Sequence, residues 1–449
     1  ILSKLYKIIF SIGLLLISFL GLSQNNVHAK LDKYLNAYAE TYDLNGAILI
    51  AKKNDVVYQN TFGYANREWQ IKNTLDTRFP IASLTKQFTA SAILQLEEQG
   101  KLSVNDKLSK YFPNYPKGDS VMVHMLLNHT SGIKNFYQNS ELFKNVSISE
   151  TPKDSILNLI KKESFDFSPG TFWGYSNTGY ILLGYIIEQV SGQTYSEYVE
   201  KNLFQKAGMF NSGTFTQDAI IKKRAYGYSQ TNNGLITQMV INYNLGYSHG
   251  GLYSTVDDLF KWTKALNSNK IISTKSLSKM NKPNREEGGA GYGIFIDNVF
   301  GRKIAFHTGN IPGYSSVMIR YLNEEMTIII LTNKETNLDF LPKGIASIMF
   351  GKEVLTPYPH KEISLKTEVL KKFTAKFESP FPFEVIEKNG KLFMNFGKEV
   401  ELIPESNTKL FISEDDADVQ IEYVFNDRNE IEQVYYIEGG VKTEIKTKS

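Results

Sequence analysis

A serine and a lysine three residues apart, Ser83 and Lys86, open the apolar run in RFPIASLTKQFTASAILQLEEQG, residues 78 to 100. At a helix N-terminus the first amide N–H groups have no intrahelical partner and the dipole is positive. An oxyanion forming near Ser83 would therefore find a donor in that residue's own amide. Residues three apart on a helix share a face, which sets Lys86 beside the Ser83 hydroxyl. An enclosed lysine near other positive charge or dipole loses proton affinity, and the neutral amine can then take the serine's proton. This spacing offers nucleophilic catalysis without a histidine base. The pattern alone is weak, because Ser131/Lys134, Ser276/Lys279 and Ser406/Lys409 repeat it and most such pairs are N-caps and solvated lysines.

Further groups follow in order along the chain. SPGTFWGYSNTGYILLGYIIEQVSG sets a Pro-Gly turn before Tyr175-Ser176-Asn177 at the mouth of an apolar helix, and AFHTGNIPGYSS sets His307-Thr308-Gly309 at the end of a strand. A tyrosine is a second proton carrier, an asparagine is an amide donor, and a hydroxyl beside a glycine makes a strand edge that a substrate can approach closely. A rival nucleophile is Ser248, since GYSHG, Gly246 to Gly250, matches the G-x-S-x-G elbow. The elbow needs a strand before it and a helix directly after it. MVINYN could be the strand, but the next helix starts only past Ser254-Thr255, where Thr255 and Asp258 form a capping pair. GYSHG therefore reads as a glycine-rich loop beside the cleft. His129 reads as a group that holds a loop through hydrogen bonds, and Trp173 as a core packing residue.

Several elements must position these groups. GAILIAKKNDVVYQNTFGYA is a hairpin with its turn at Lys53-Asn54-Asp55, and a helix starting near Ser83 presents Phe88, Ala92 and Leu96 to the core and stops at Gly100. RKIAFHTG, SSVMIRYL and MTIIILTN are three strands joined by short turns. Strands at both ends of Leu31 to Phe350 with helices between them predict an α/β fold with an antiparallel sheet and a helical insertion. From Glu362 to Ser449 short strands and turns such as Asn389-Gly390 predict a small all-β domain, joined through the two prolines of GKEVLTPYPHKE. The domains expected are 30–352 and 362–449.

The first 23 residues, with Lys4 and Lys7 ahead of an apolar run from Ile8 to Leu22, have the layout of a signal peptide, with cleavage after Ser23 or Ala29. The apolar run is shorter than the ~20 residues a membrane span needs, so the mature chain is expected in a periplasm or secreted. Membrane contact would come only through that segment, if uncleaved. The net charge of +3 includes Lys4 and Lys7, so a nucleic-acid partner is not expected. The absence of cysteine excludes disulfides, thiolate nucleophiles and iron-sulfur clusters. His124 and His129 are not at the i, i+4 spacing of helical metal ligands, and neither metal nor cofactor is expected.

The chain resembles the serine β-lactamase and penicillin-binding-protein-like hydrolases, nearest to the class C type with a tyrosine motif. The likeness is carried by the three boxes above together with HMLLNHTSGIKNF and GGLYSTVDDLFKW, and extends from about Leu44 to Asn333. The resemblance implies a β-lactamase/transpeptidase-like fold, with Ser83 as acyl-accepting nucleophile, Lys86 and Tyr175 as the proton-shuttling pair, and Asn177 as donor to substrate and to Lys86. It also implies that His307, Thr308 and Gly309 line the sheet edge, and that the Asn310 amide joins that of Ser83 in an oxyanion hole. The C-terminal domain resembles an accessory barrel. The third box usually begins with lysine; His307 is largely neutral at pH 7 and replaces a permanent cation suited to a carboxylate. The substrates implied are small-molecule or peptidoglycan-like acyl compounds, with ester or D-peptide cleavage ranked above β-lactam cleavage. The alternative is a penicillin-binding or peptidoglycan-sensing module that acylates without turnover.

Overall fold

The computed structural model describes residues 26–136, 152–216, 218–231, 233–238, 243–412 and 418–448. The signal segment expected over residues 1–23 lies outside them. Asn45–Thr336 forms one compact unit, and the residues up to Leu44 and from Asn337 form another. The helix over residues 26–42 and the helix Leu341–Met349 thus belong with the C-terminal strands, a different division from the one read at 352/362.

In the larger unit, β1 (Gly46–Lys52) and β2 (Asp55–Phe62) form the expected hairpin, with Lys53 at φ +56° in the turn. Far along the chain come β3 (Gly289–Ala290), β4 (Phe295–Val299), β5 (Arg302–Ile311), β6 (Tyr314–Tyr321) and β7 (Met326–Thr332). They assemble in the order β3-β4-β5-β6-β7-β1-β2, and every pairing is antiparallel. Strands β7 and β1 are buried along nearly their whole length. MTIIILT therefore reads as a continuous apolar run and not as an alternating one. The helices inserted between the two ends of the sheet include α1 (Thr85–Glu98), α2 (Asn177–Ser191) and α3 (Val256–Asn267).

Helix α1 is the pivot of this insertion. Every residue from Thr85 to Leu96 is buried, the polar Thr89, Ser91 and Gln95 included, so the helix runs through the interior until its last turn, where Glu98 is exposed. Its polar groups find partners there: Gln87 Oε1 accepts from Trp262 Nε1 at 2.8 Å, and Gln95 Nε2 donates to the Ile271 carbonyl at 2.8 Å. The helix ends as expected at Gly100, whose φ of +68° only glycine adopts without strain. The pair expected at α3 is also present, with the Asp258 N–H donating to Thr255 Oγ1 at 3.2 Å.

The C-terminal strands, from Ala375–Phe377 to Val441–Ile445, form an eight-stranded antiparallel sheet. Its first and last edges meet where Phe377 bridges Thr447 and the Lys448 N–H donates to the Lys376 carbonyl at 2.7 Å, which brings the sheet to a near-closed barrel. Asn389 (φ +57°) and Gly390 (φ +77°) make the two-residue turn expected of them. Leu392, Leu410, Ile421 and Val434 are among the side chains that fill the interior.

Candidate active site

The chain enters the site through the short strand Phe79–Pro80, which pairs with Leu252–Ser254, and the Ile81 N–H donates to the Leu252 carbonyl at 2.9 Å. Ala82 then takes φ +46°, a left-handed conformation that a non-glycine residue holds only at a cost of roughly 1–3 kcal/mol. One 3-10 turn, Ala82–Leu84, carries Ser83, and α1 begins behind it. The nucleophile candidate therefore sits on a strained turn ahead of the α-helix. Two residues of the sheet fix this turn. Ser316 on β6 donates through Oγ to the Ile81 carbonyl at 3.0 Å, and Gly309 on β5 lies flat against it. A Cβ at Gly309 would fall 2.5 Å from the Ile81 oxygen and 2.4 Å from Ser316 Oγ.

Lys86 is fully buried, with Nζ 3.1 Å from Ser83 Oγ and 2.7 Å from the His249 carbonyl oxygen. Burial alone drives its proton affinity well below the usual lysine range. Once neutral, the amine donates to the His249 carbonyl and turns its lone pair to the Ser83 hydroxyl, which is the arrangement of a general base. Tyr175 places its hydroxyl 3.0 Å from Ser83 Oγ on the other side. Burial pushes the phenol pKa above its ordinary value, so Tyr175 holds its proton and donates it toward Ser83. The serine oxygen thus stands between a proton acceptor and a proton donor.

Tyr175 is aimed by its neighbours. Ser176 caps α2, accepting from the Gly179 N–H at 3.3 Å. The His129 carbonyl accepts from the Gly174 N–H at 3.0 Å, and its Nδ1 accepts from the Ser176 N–H at 3.1 Å. The imidazole also packs 4.6 Å from the Tyr175 ring, so His129 holds a loop, as expected. Trp173, expected in the core, is instead half-buried with its ring 6.2 Å from Phe295, which in turn lies 5.0 Å from His307. These rings line one side of the site.

Asn177 departs from the expectation. Its Oδ1 has no hydrogen-bond partner among the described residues, and the place foreseen for it at Lys86 belongs to the His249 carbonyl. The one-turn helix Tyr247–Gly250, which packs between α1 and α2, delivers that carbonyl. The same helix replaces the loop expected at GYSHG and disposes of Ser248 as a nucleophile. Ser248 is fully buried, donates through Oγ to the Tyr180 carbonyl at 2.8 Å, and accepts at its own carbonyl from Thr89 Oγ1 at 2.6 Å. Ser248→Ala should cost about 1 kcal/mol of stability and leave ester hydrolysis within a few fold of the parent. A thousandfold loss of activity in that variant would return Ser248 to the chemistry.

The third box lies on β5. Strand β4 pairs with β5 only as far as Phe306, so from His307 onward the β5 edge is free of a strand partner on that side and borders the Ser83 turn. Thr308, Gly309 and Asn310 therefore line an open edge beside the serine. His307 is buried, and its Nδ1 donates to the Thr308 carbonyl at 2.5 Å. Burial, reinforced by nearby Lys86, lowers its pKa to about 3. This position is a neutral hydrogen-bonding group where the resemblance has a cation.

Among the functional groups that sequence reasoning did not single out are the His249 carbonyl and the Ser316 hydroxyl. A backbone carbonyl leaves no mark in side-chain type. Ser316 is signalled only by its place on the strand that follows the third box.

Burial also lowers the pKa of His129 and His249, with Lys86 the next contribution to each. In the unfolded chain these histidines and His307 titrate near ~6.5. The contribution of these histidines to stability should therefore be full above that pH and be lost as the pH drops toward about 3, the folded value of His307, by at most roughly 1.4 kcal/mol per pH unit per histidine. Urea unfolding at pH 7.5, 5.5 and 4.5 tests this, and an unchanged midpoint across the series would contradict it.

The Beta-lactamase family model matches residues 31–349 of this chain. Penicillin-binding protein 4* of Bacillus subtilis is 28% identical over 456 aligned positions, covering 95% of this chain and all of that protein. A penicillin-binding protein structure from Bacillus halodurans shares 33% identity over 71% of this chain and 98% of its own, with a TM-score of 0.62. The octameric penicillin-binding protein homologue from Pyrococcus abyssi shares 27% identity over 93% of this chain and 99% of its own, with a TM-score of 0.65. With the family model spanning most of the chain over the fold described above, the chain belongs to the β-lactamase family and is a serine hydrolase.

Proposed function

We propose that this hydrolase acts outside the cytoplasm on small-molecule or peptidoglycan-like acyl substrates, opening an ester or amide bond through an acyl-enzyme on Ser83. The observation that carries the reading is the placement of Ser83 Oγ between the Lys86 amine at 3.1 Å and the Tyr175 hydroxyl at 3.0 Å. In this reading Lys86 takes the serine proton as Oγ attacks the carbonyl. The amides of Ser83 and Asn310 receive the oxyanion, and Tyr175 delivers a proton to the departing group. Water then enters where the leaving group was, and the same pair returns the protons in reverse. Asn177 and the β5 edge at His307, Thr308 and Gly309 hold the substrate.

The neutral His307 supports uncharged esters and amides over substrates anchored by a carboxylate. The relatives named above are penicillin-binding proteins, which supports a substrate drawn from peptidoglycan or its mimics. Parallel assays on a short-chain aryl ester, a D-amino-acid peptide and a chromogenic cephalosporin test the proposal. Turnover is expected on the first two in excess of the third, and Ser83→Ala should abolish all of it. An acyl adduct that persists in the intact mass after substrate is washed out would identify a module that acylates without turnover.

A further inference from the structure

Within Asn45–Thr336, a groove of about 770 Å³ runs between the hairpin Tyr64–Asn66/Ile71–Lys72 and the segment 219–226. Four large apolar side chains project there: Trp69 is 80% exposed, Ile71 57%, Ile220 96% and Tyr226 52%. Large side chains left this bare and close together on one face mark an interaction site. The hairpin turn is firmly built, because the Trp69 N–H donates to Asn66 Oδ1 at 2.6 Å and the Gln70 N–H donates to the Arg67 carbonyl at 3.2 Å. Trp69 is therefore held outward at the tip of a fixed turn.

Opposite it, the run Ile220-Ile221-Lys222-Lys223-Arg224 places two isoleucines directly ahead of three cations. Lys72 on the hairpin and Lys222 at the border of the groove are exposed, while two carboxylates nearby are engaged, Asp76 by Lys223 at 2.7 Å and Glu68 by the Tyr228 hydroxyl. The two most exposed of these side chains, Trp69 and Ile220, border the groove from the hairpin and from the facing segment, with exposed lysines next in sequence or nearby on each side. That combination suits the boundary between headgroups and acyl chains of an anionic bilayer.

We propose that this face docks the hydrolase on an anionic lipid surface, with Trp69, Ile71 and Ile220 entering the headgroup boundary and Lys72 and Lys222 facing lipid phosphates. The contact is separate from the signal segment expected over residues 1–23 and does not depend on the chemistry at Ser83. It does fix where that chemistry happens. The docking segment is laced to the strand that leads into the Ser83 turn, since the Arg78 N–H donates to the Lys223 carbonyl at 2.9 Å and the Ala225 N–H to the Arg78 carbonyl at 3.0 Å.

The test uses the full chain and vesicles of phosphatidylglycerol with phosphatidylethanolamine, against phosphatidylcholine alone, at low and high salt. Tryptophan emission should shift to the blue on the anionic vesicles only, and the shift should vanish in Trp69→Phe, which retains Trp173 and Trp262. Lys72→Gln combined with Lys222→Gln should weaken vesicle binding roughly twenty-five-fold, about fivefold per lysine, with hydrolysis of a small soluble ester unchanged. Circular dichroism establishes that these variants of exposed residues are folded. A blue shift equal in Trp69→Phe, or lipid binding indifferent to headgroup charge, would overturn the proposal. So would a shift produced by soluble peptidoglycan fragments and not by vesicles, which would assign the groove to a glycan or peptide.

Discussion

Lys86→Met is expected to lower kcat/KM by about a thousandfold or more while leaving the protein as stable as the parent or more so. Removing a positioned general base costs roughly 10²–10⁴ in rate, and no second basic side chain touches Ser83 Oγ among the described residues. The structural outcome has the opposite sign. Lys86 lies in the interior with a carbonyl and a hydroxyl as hydrogen-bonding partners and no carboxylate in ion-pair contact among the described residues. An amine there gives up hydration that methionine never had. Methionine of similar length fills the same space beside the Tyr175 and Tyr180 rings, over which Nζ now sits at 5.0 and 5.5 Å. Steady-state kinetics and urea unfolding of one preparation test both halves. A variant that lost stability and activity together would mean that the amine is structural. In the parent, the acid limb of kcat/KM should report the lowered Lys86 pKa, with activity falling as the amine becomes protonated.

Gly309→Ala is expected to cost about a hundredfold in kcat and 1–3 kcal/mol in stability, the range typical of an overpacked core. Gly309 has no left-handed backbone to defend; what it supplies is space. Its missing Cβ lets β5 approach the Ser83 turn so closely that a methyl would meet the Ile81 carbonyl at 2.5 Å and Ser316 Oγ at 2.4 Å. Neither can retreat cheaply, because the two are hydrogen-bonded to each other at 3.0 Å. The relief available is a shift of the turn that carries Ser83, away from Lys86 and Tyr175. The loss should therefore fall on kcat more than on KM. A variant with parental kcat would show that the turn is not clamped as described.

The parts of this site legible in sequence were those written in side-chain chemistry at short range. Ser83 and Lys86 are three apart, Tyr175 immediately precedes the cap of an apolar helix, and His307 lies on a strand, although that strand runs on to Ile311 and does not end at the box. In each case local structure sets the geometry. The sheet was legible for a related reason, since GAILIAK and MTIIILT are short apolar runs, rich in isoleucine and bounded by turn residues, that suit a buried strand. What escaped depends on long-range packing or on the backbone. The acceptor on Lys86 is the His249 carbonyl, 163 residues away in the chain, and GYSHG attracted attention for its serine instead. Asn177 was assigned to Lys86 by likeness, and nothing in its neighbourhood signals that a one-turn helix reaches the amine first. The helix over residues 26–42 was not read from the sequence. Its Tyr34 hydroxyl donates to the Gly439 carbonyl at 3.0 Å, a contact with no local signature.

The central claim is that Ser83, activated by the Lys86 amine, carries the acyl group. Trapping tests it most directly: a fluorophosphonate is reacted with the protein, and the adduct is located by peptide mass spectrometry in the parent, Ser83→Ala and Lys86→Met. The account requires a single adduct on the peptide containing Ser83, absent from Ser83→Ala and formed at least a hundredfold more slowly in Lys86→Met. An adduct on the peptide containing Ser248, or labelling of Ser83 at an undiminished rate without Lys86, would contradict it.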